Sequence, residues 1–448
     1  MTGRRWTLAF GSFKLHLSCP LLLGIIIVAY ASIGTLYAIV TPRWQVPDEP
    51  AHYNYVRSLA EGRGFPVLEP EDYDQDYLAE LTSKRFPPEL SVEPLEYEDH
   101  QPPLYYLVAA PIYAVFGGQV LPLRLLTIGM GAALLAVAFS AVRVAVGDKP
   151  HLAVLAAGFI AFIPQHVAMT AGINNDALAE LMVAATLWGS IVYLRKEQSR
   201  PWGLGVLVGT ALLTKTTAYV AAGVAAAAIA VRWRRGSRST RWALEQLAWV
   251  FVPAALISAP WFLRNGMTYG WNDPLGLARH NLVVENQPRS SEWLATYGWW
   301  GLVWRLVRTT FQSFWGQFGW MVLPLPSEAY EGLLTLSCLL LIGFAAWVVE
   351  RHRSSPNGLS PGGAAIILGF SALLTLLAFL WYNLTFVQHQ GRYLYPALVP
   401  LSTAAALGLN TLAKPLPSRL RPWSKLLLLG GLAAFDVYCL WRIIRPNL

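Results

Sequence analysis

Apolar runs of about twenty residues recur along the chain, each long enough to cross ~30 Å of hydrocarbon. The first, Pro20–Val40, follows Arg4, Arg5 and Lys14 and reads as a retained signal anchor, because it is long and lacks a small-residue exit. Later runs fall into pairs: 151–170 with 176–194, 244–263 with 328–349, and 361–384 with 391–412. Two runs break the pattern. As one helix, 202–232 would extend about 46 Å, too long for a single crossing. It is expected to split at Leu213-Thr214-Lys215-Thr216-Thr217, leaving Lys215 at a turn. The segment 103–118 spans only about 24 Å as a helix and ends at Gly117-Gly118. It is expected to be interfacial or re-entrant.

The pattern predicts an all-α polytopic membrane protein, with 1–448 forming a single integrated transmembrane domain. Composition agrees: 55% of residues are hydrophobic and only 13% charged, too few charges to cover a soluble protein of this length. The formal net charge of +8 does not indicate nucleic acid. The basic residues cluster in short segments between spans, at Arg143/Lys149, Arg195–Arg200, Arg232–Arg241, Arg351/Arg353 and Lys414–Lys425. Such clusters mark cytoplasmic loops. Placing all of them inside requires eleven spans, the N-terminus in and the C-terminus out. Arg442 and Arg445 then lie outside, against the rule. The three cysteines, Cys19, Cys338 and Cys439, have no metal spacing and suggest no disulfide framework.

This topology leaves two long external loops, 41–120 with juxtamembrane helices and 264–327. Fourteen of the 26 acids fall in the first. The second carries Trp293, Trp299, Trp300, Trp304, Trp315 and Trp320, and tryptophan prefers the headgroup level, so this loop is expected to lie along the membrane.

Several polar groups share the external face. Val46-Pro47-Asp48-Glu49-Pro50 sets a carboxylate pair just beyond the first span. Its bland reading is a helix start, with Pro50 in the first turn and a membrane-lying helix running to about Glu61. Its functional reading is a catalytic pair, and a helix start would hold that pair rigidly. Asn174-Asn175-Asp176 reads equally as an N-cap or as a second polar group facing the first loop. A lysine costs roughly 2.5–3.5 kcal/mol at mid-membrane. At an outer turn Lys215 either snorkels or meets a phosphate. His389-Gln390-Gly391-Arg392-Tyr393 combines a glycine that permits close approach with an arginine suited to phosphate. His100-Gln101-Pro102-Pro103 is either punctuation or part of the site. For Arg279, His280 and Arg264, headgroup contact is the simpler account.

No phosphate-binding loop, nucleophile elbow, zinc signature or dinucleotide fingerprint occurs. Carboxylates and cations beside apolar grooves suit chemistry on a lipid phosphate. In this setting Pro47-Asp48-Glu49 resembles the Asp-Glu motif in the first external loop of GT-C glycosyltransferases, in particular the protein O-mannosyltransferase and aminoarabinose transferase group. Pro102-Pro103-Leu104-Tyr105-Tyr106, Asn175-Asp176, Thr214-Lys215 and Arg392-Tyr393 with Pro396 follow in the family's order, over about 1–410. The resemblance implies the GT-C fold and inverting transfer of a sugar from a polyprenyl-phosphate-linked donor at the external face. It implies a cell-envelope enzyme of a prokaryotic plasma membrane. Asp48 matches the catalytic aspartate and Glu49 its substrate-holding neighbour. Lys215 and Arg392 match positions near the lipid phosphate, and Asp176 a second acidic position. Tyr393, His100, Arg279, His280 and His389 complete the expected substrate-binding set. His100-Gln101 departs from the family pattern before the double proline, and Asp-Glu replaces the Asp-x-Asp of metal-dependent relatives, so no obligatory metal is implied. A lipid or polysaccharide transporter is the rival reading, but a transporter would place its polar groups at mid-membrane on broken helices.

Overall fold

The computed structural model describes residues 6–10, 13–147, 149–195, 200–284, 286–353 and 362–448. A short hairpin, β1 (Trp6–Phe10) with β2 (Phe13–Leu17), precedes the first span. The hydrophobic pattern did not predict it. The helices that follow are α1 (Cys19–Val40), α2 (Glu49–Ala60), α3 (Gln75–Ser83), α4 (Leu104–Val115), α5 (Val120–Val146), α6 (Pro150–Ala161), α7 (Pro164–Thr170) and α8 (Asp176–Arg195). Next come α9 (Trp202–Leu212), α10 (Val220–Arg235), α11 (Thr240–Tyr269), α12 (Leu277–Val283) and α13 (Ser290–Trp315). The last are α14 (Ser327–Arg353), α15 (Gly363–Tyr382), α16 (Leu398–Leu412) and α17 (Arg421–Tyr438), which runs on as a π-helical turn over Cys439–Ile444.

Among the described residues, eight helices are long and apolar enough to cross a membrane, or nine if the bent pair α6–α7 counts as one. The expected eleven spans are therefore not eleven unbroken helices. α6 and α7 meet at a 67° bend. The run 202–232 does split: α9 has only 11 residues, and the chain re-enters through a 3-10 turn at Thr216–Tyr219. The second run of the last expected pair begins with another 3-10 segment, Gly391–Ala397, ahead of the 15-residue α16. Broken backbone at membrane depth is tolerated only where it is buried in protein or lines a cavity. The breaks before Thr216 and at Gly391 supply Lys215 and Arg392 to one cluster.

α5 packs between α1, α6 and α8, and Leu152–Ala161 of α6 is buried along its length. Asp176 and Arg195 sit at opposite ends of α8, and Arg195 shares a cavity with Arg232, Arg238 and Arg351. The basic segments thus gather at the end of the bundle away from Asp48. The C-terminus lies at the Asp48 end, where Ile444 and Leu448 line a crevice with Val46 and Pro47.

Two expectations change. The stripe of α2 expected to face the membrane is buried in protein instead: His52 and Val56 are buried, as are Asn54 and Tyr55, and the helix packs on α4. In the second loop Trp299, Trp300 and Trp304 are exposed along α13, whereas Trp315 is buried and Trp320 donates from Nε1 to the Trp44 carbonyl (2.8 Å).

Candidate active site

α2 begins where the sequence placed it, but Asp48 is no ordinary cap. Its backbone is left-handed (φ 66°, ψ −3°), and its side chain makes no capping hydrogen bond. Aspartate is one of the few residues that visits this region, at a cost of order 1–3 kcal/mol in general. The turn directs the carboxylate away from the helix. Oδ2 accepts from Arg392 Nη2 (2.5 Å), and Oδ1 from the Tyr97 hydroxyl (3.0 Å).

Arg392 is set by its own segment. Gly391 lies so close to α13 that a Cβ there would meet the backbone of Thr310 and Phe314. The Gly391 N–H donates to Ser313 Oγ (2.8 Å), and the Tyr395 hydroxyl to the Phe314 carbonyl (3.0 Å). Lys215 donates to Asp176 Oδ1 (2.6 Å), and Arg392 Nη1 stands 3.9 Å from Asp176 Oδ2. Two aspartates thus alternate with two cations: Asp48, Arg392, Asp176, Lys215. Asn174 supplies the helix start, accepting the Asp176 N–H on Oδ1 (3.1 Å). This leaves the Asp176 carboxylate for the cluster.

A cavity of about 180 Å³ opens on the cluster, lined in part by Asp48, Tyr97, Glu98, His280, Arg392 and Tyr393. Burial opposes the charge on Asp48, yet the Arg392 guanidinium, with His52 and Lys215, holds its carboxyl below the usual range. Glu98 goes the other way. Burial raises its carboxyl, which His52 and Lys215 only partly offset, and Oε2 has no hydrogen-bond partner among the described residues. The two carboxyl groups on one cavity are thus shifted in opposite directions, a pattern typical of acid–base sites. Sequence reasoning missed Glu98, since one acid among fourteen in its loop carries no distinguishing mark.

The remaining expected site residues divide. His280 reaches the cavity, with its ring 4.6 Å from that of buried His100, whose Nδ1 lies 3.2 Å from the Tyr97 carbonyl. Burial keeps both neutral, lowering His100 to about 4 and His280 to about 3. His389 is buried against Trp293 and does not line the cavity; its carbonyl faces Ser313. Arg279 donates from Nε to the Leu68 carbonyl (2.9 Å) and also stays outside.

Glu49 departs furthest from its expected role as a substrate holder. It is fully buried and turned inward. Arg124 grips it through Nε and Nη2 (both 2.7 Å), and the backbone N–H groups of Trp44 (2.9 Å) and Ile173 (3.2 Å) also donate to it. Arg124 further donates to the carbonyls of Ala38, Thr41 and Pro42 at the end of α1. This pair ties α1, α2 and α5 together behind the site. The missed signal was Arg124 itself, a lone arginine in an apolar span, which is costly unless partnered. His166 and Glu180, paired at 2.8 Å, were also missed. Among the described residues no three His, Cys, Asp or Glu side chains converge as a metal cage.

Residues 100–262 match the family model of dolichyl-phosphate-mannose-protein mannosyltransferases. Asp48 and Arg392 lie outside that match. No curated protein sequence matches the chain. Among solved structures, ArnT from Cupriavidus metallidurans in the apo state is similar at 16% identity, with a TM-score of 0.52 over 94% of this chain and 73% of that one. The same protein bound to undecaprenyl phosphate is similar at 13% identity, with a TM-score of 0.51 over 95% and 73%. The oligosaccharyltransferase of Archaeoglobus fulgidus, in complex with Zn and sulfate, gives 15% identity and a TM-score of 0.49 over 93% of this chain and 52% of that chain. The fold is thus all-α and similar to that of ArnT, and residues 100–262 are similar to the mannosyltransferase family.

Proposed function

We propose that the protein is a glycosyltransferase. It moves a sugar, with inversion, from a polyprenyl-phosphate-linked donor to an acceptor hydroxyl or amine at the external face of a membrane. The observation that carries this reading is the Asp48 carboxylate, fixed by Arg392 and Tyr97 at the wall of a cavity. The similarity of residues 100–262 to mannosyltransferases supports it, as does the ArnT structure with undecaprenyl phosphate.

In this reading Asp48 takes the proton from the acceptor as its oxygen or nitrogen bonds to the anomeric carbon. The bond from that carbon to the phosphate oxygen breaks, and the electron pair leaves with the polyprenyl phosphate. Charge grows on that phosphate in the transition state, which is where fixed cations are most effective. Arg392 serves there: its Nε has no hydrogen-bond partner among the described residues. Lys215 adds the second positive charge. Glu98, whose carboxyl burial raises, is placed to hydrogen-bond a hydroxyl of the donor or acceptor.

The test is transfer in proteoliposomes charged with polyprenyl-phosphate sugars. Asp48→Asn keeps the shape of the side chain and removes the base, so transfer should fall about 10²–10⁴-fold. Full activity in that variant would sink the assignment. A transporter using the same cavity would tolerate the change.

A further inference from the structure

Four segments of the candidate site meet at one phenol. Tyr106 of α4 is fully buried, and its ring stacks on that of Tyr55 in α2, with centroids 3.7 Å apart. Its hydroxyl lies 2.9 Å from Nδ1 of His52. His52 stands one turn beyond Asp48 in α2, its N–H donating to the Asp48 carbonyl (3.1 Å). Asn175, next to Asp176 at the start of α8, donates from Nδ2 to the Tyr106 hydroxyl (3.4 Å) and to the Thr214 carbonyl beside Lys215 (3.5 Å). The Leu104 N–H, at the start of α4, donates to the Leu213 carbonyl (2.8 Å). The start of α4 therefore joins the helix that follows Asp48, the turn that carries Asp176 and the turn that carries Lys215. His52 and Asn175 are buried with Tyr106.

The direction of these hydrogen bonds follows from what each atom can do. A carbonyl only accepts, so the Thr214 oxygen requires the amide NH₂ of Asn175 on its side. That NH₂ also faces Tyr106, whose oxygen accepts from it. The Tyr106 hydrogen then needs an acceptor. Among the described residues its hydroxyl has one further hydrogen-bonding neighbour, Nδ1 of His52. A buried hydroxyl left without an acceptor is costly. Tyr106 therefore donates, and Nδ1 carries no hydrogen. In a neutral imidazole the proton then sits on Nε2. Burial also lowers His52, which favours the neutral ring. We propose that Tyr106 is a positioning residue of the site: its hydroxyl fixes His52 as the tautomer protonated on Nε2, and it ties the Asp48 helix to the turns bearing Asp176 and Lys215. Loss of the hydroxyl frees segments whose charged groups alternate in the cluster. A misplacement of about 1 Å in such a site can cost about 10²-fold in rate. That consequence for transfer rests on the glycosyltransferase reading, whereas the tautomer is independent of it.

The test uses the full-length protein in proteoliposomes, with isotope-labelled histidine and solid-state nitrogen NMR at neutral pH. The His52 signals are those that vanish in His52→Gln. In wild type, Nδ1 should be unprotonated and Nε2 protonated. A proton on Nδ1 in wild type would overturn the proposal, and this measurement stands even if a variant fails to fold. Tyr106→Phe keeps the stacked ring and removes only the hydroxyl. The Nδ1 signal should then shift as its hydrogen bond is lost. Transfer should fall about 10²-fold, through kcat, with little change in the KM for the donor. Tyr193→Phe is the control for losing a buried hydroxyl, since that group donates to Gln246 Oε1 (2.9 Å) at the far end of α8. It should lower the unfolding temperature about as Tyr106→Phe does and leave the His52 signals and transfer as in wild type. Unmoved His52 signals in Tyr106→Phe, or transfer no lower than in Tyr193→Phe, would sink the positioning role. A wild type that transfers no sugar would count against the glycosyltransferase reading alone, because the His52 signals still decide the tautomer and its dependence on Tyr106.

Discussion

The Asp48 carboxylate accepts a 2.5 Å hydrogen bond from Arg392, 344 residues away in the sequence. The same guanidinium faces Asp176, which Lys215 holds. Arg392 therefore orients the proposed base and neutralises it in part. Arg392→Lys keeps the charge but loses the planar fork. It should reduce transfer at least as strongly through kcat as through KM, measured at saturating acceptor. A change in KM alone would assign Arg392 to binding rather than to the reacting geometry.

Asp48 and Glu49 are neighbours with separable effects. Glu49→Gln breaks a buried pair that ties three helices together, a change that typically costs about 3–5 kcal/mol. It should lower the unfolding temperature in detergent. Asp48→Asn should cut transfer about 10²–10⁴-fold while lowering that temperature less than Glu49→Gln does. Equal destabilisation by the two substitutions would argue against separate roles.

Gly391→Ala tests how Arg392 is positioned. The new methyl group would meet the backbone of α13, and overpacking of this kind costs typically about 1–3 kcal/mol. The 3-10 segment should move off α13, and transfer should drop although no cavity side chain has been replaced. Wild-type transfer would mean that Arg392 finds its place without the Ser313–Gly391 contact.

Glu98 offers a test by pH. Its carboxyl is raised, so the protonated form persists above the usual glutamate range. Glu98→Gln, a permanent neutral donor, should retain most transfer and lose the decline as pH rises through the Glu98 titration. Glu98→Ala should be impaired at every pH. If the glutamine variant were as inactive as Asp48→Asn, an ionised Glu98 would be required instead.

His100 and His280 are held neutral, at about 4 and about 3, by burial. Unfolded histidines titrate near about 6.5. Below that value the unfolded chain takes up protons that the folded chain refuses, so stability falls with pH until the folded values are reached. Thermal unfolding should move to lower temperature between pH 7 and pH 5. The double variant His100→Gln with His280→Asn should show a flatter dependence, the remainder arising from groups such as His52, which burial also lowers.

Much of this was legible in order along the chain. Apolar runs of crossing length dictate helices because a bilayer leaves no other partner for the backbone. The split at Lys215, the short helix over 104–115 and the start of α2 all followed from length, glycine and proline. The convergence of Asp48, Asp176, Lys215 and Arg392 was expected from topology and resemblance, and the distances place them together. What the sequence by itself could not decide was where each side chain points. Asp48 and Glu49 look alike as neighbours, yet a left-handed turn at Asp48 sends one carboxylate to the cavity and the other to Arg124. Glu98 stands out only because folding buries it beside Asp48. Arg195 and Arg351 belong to separate basic clusters until the ends of α8 and α14 bring them to one cavity. Hydrophobic periodicity is a local property and can be read in order. Direction, burial and long-range pairing exist only once distant segments occupy the same space.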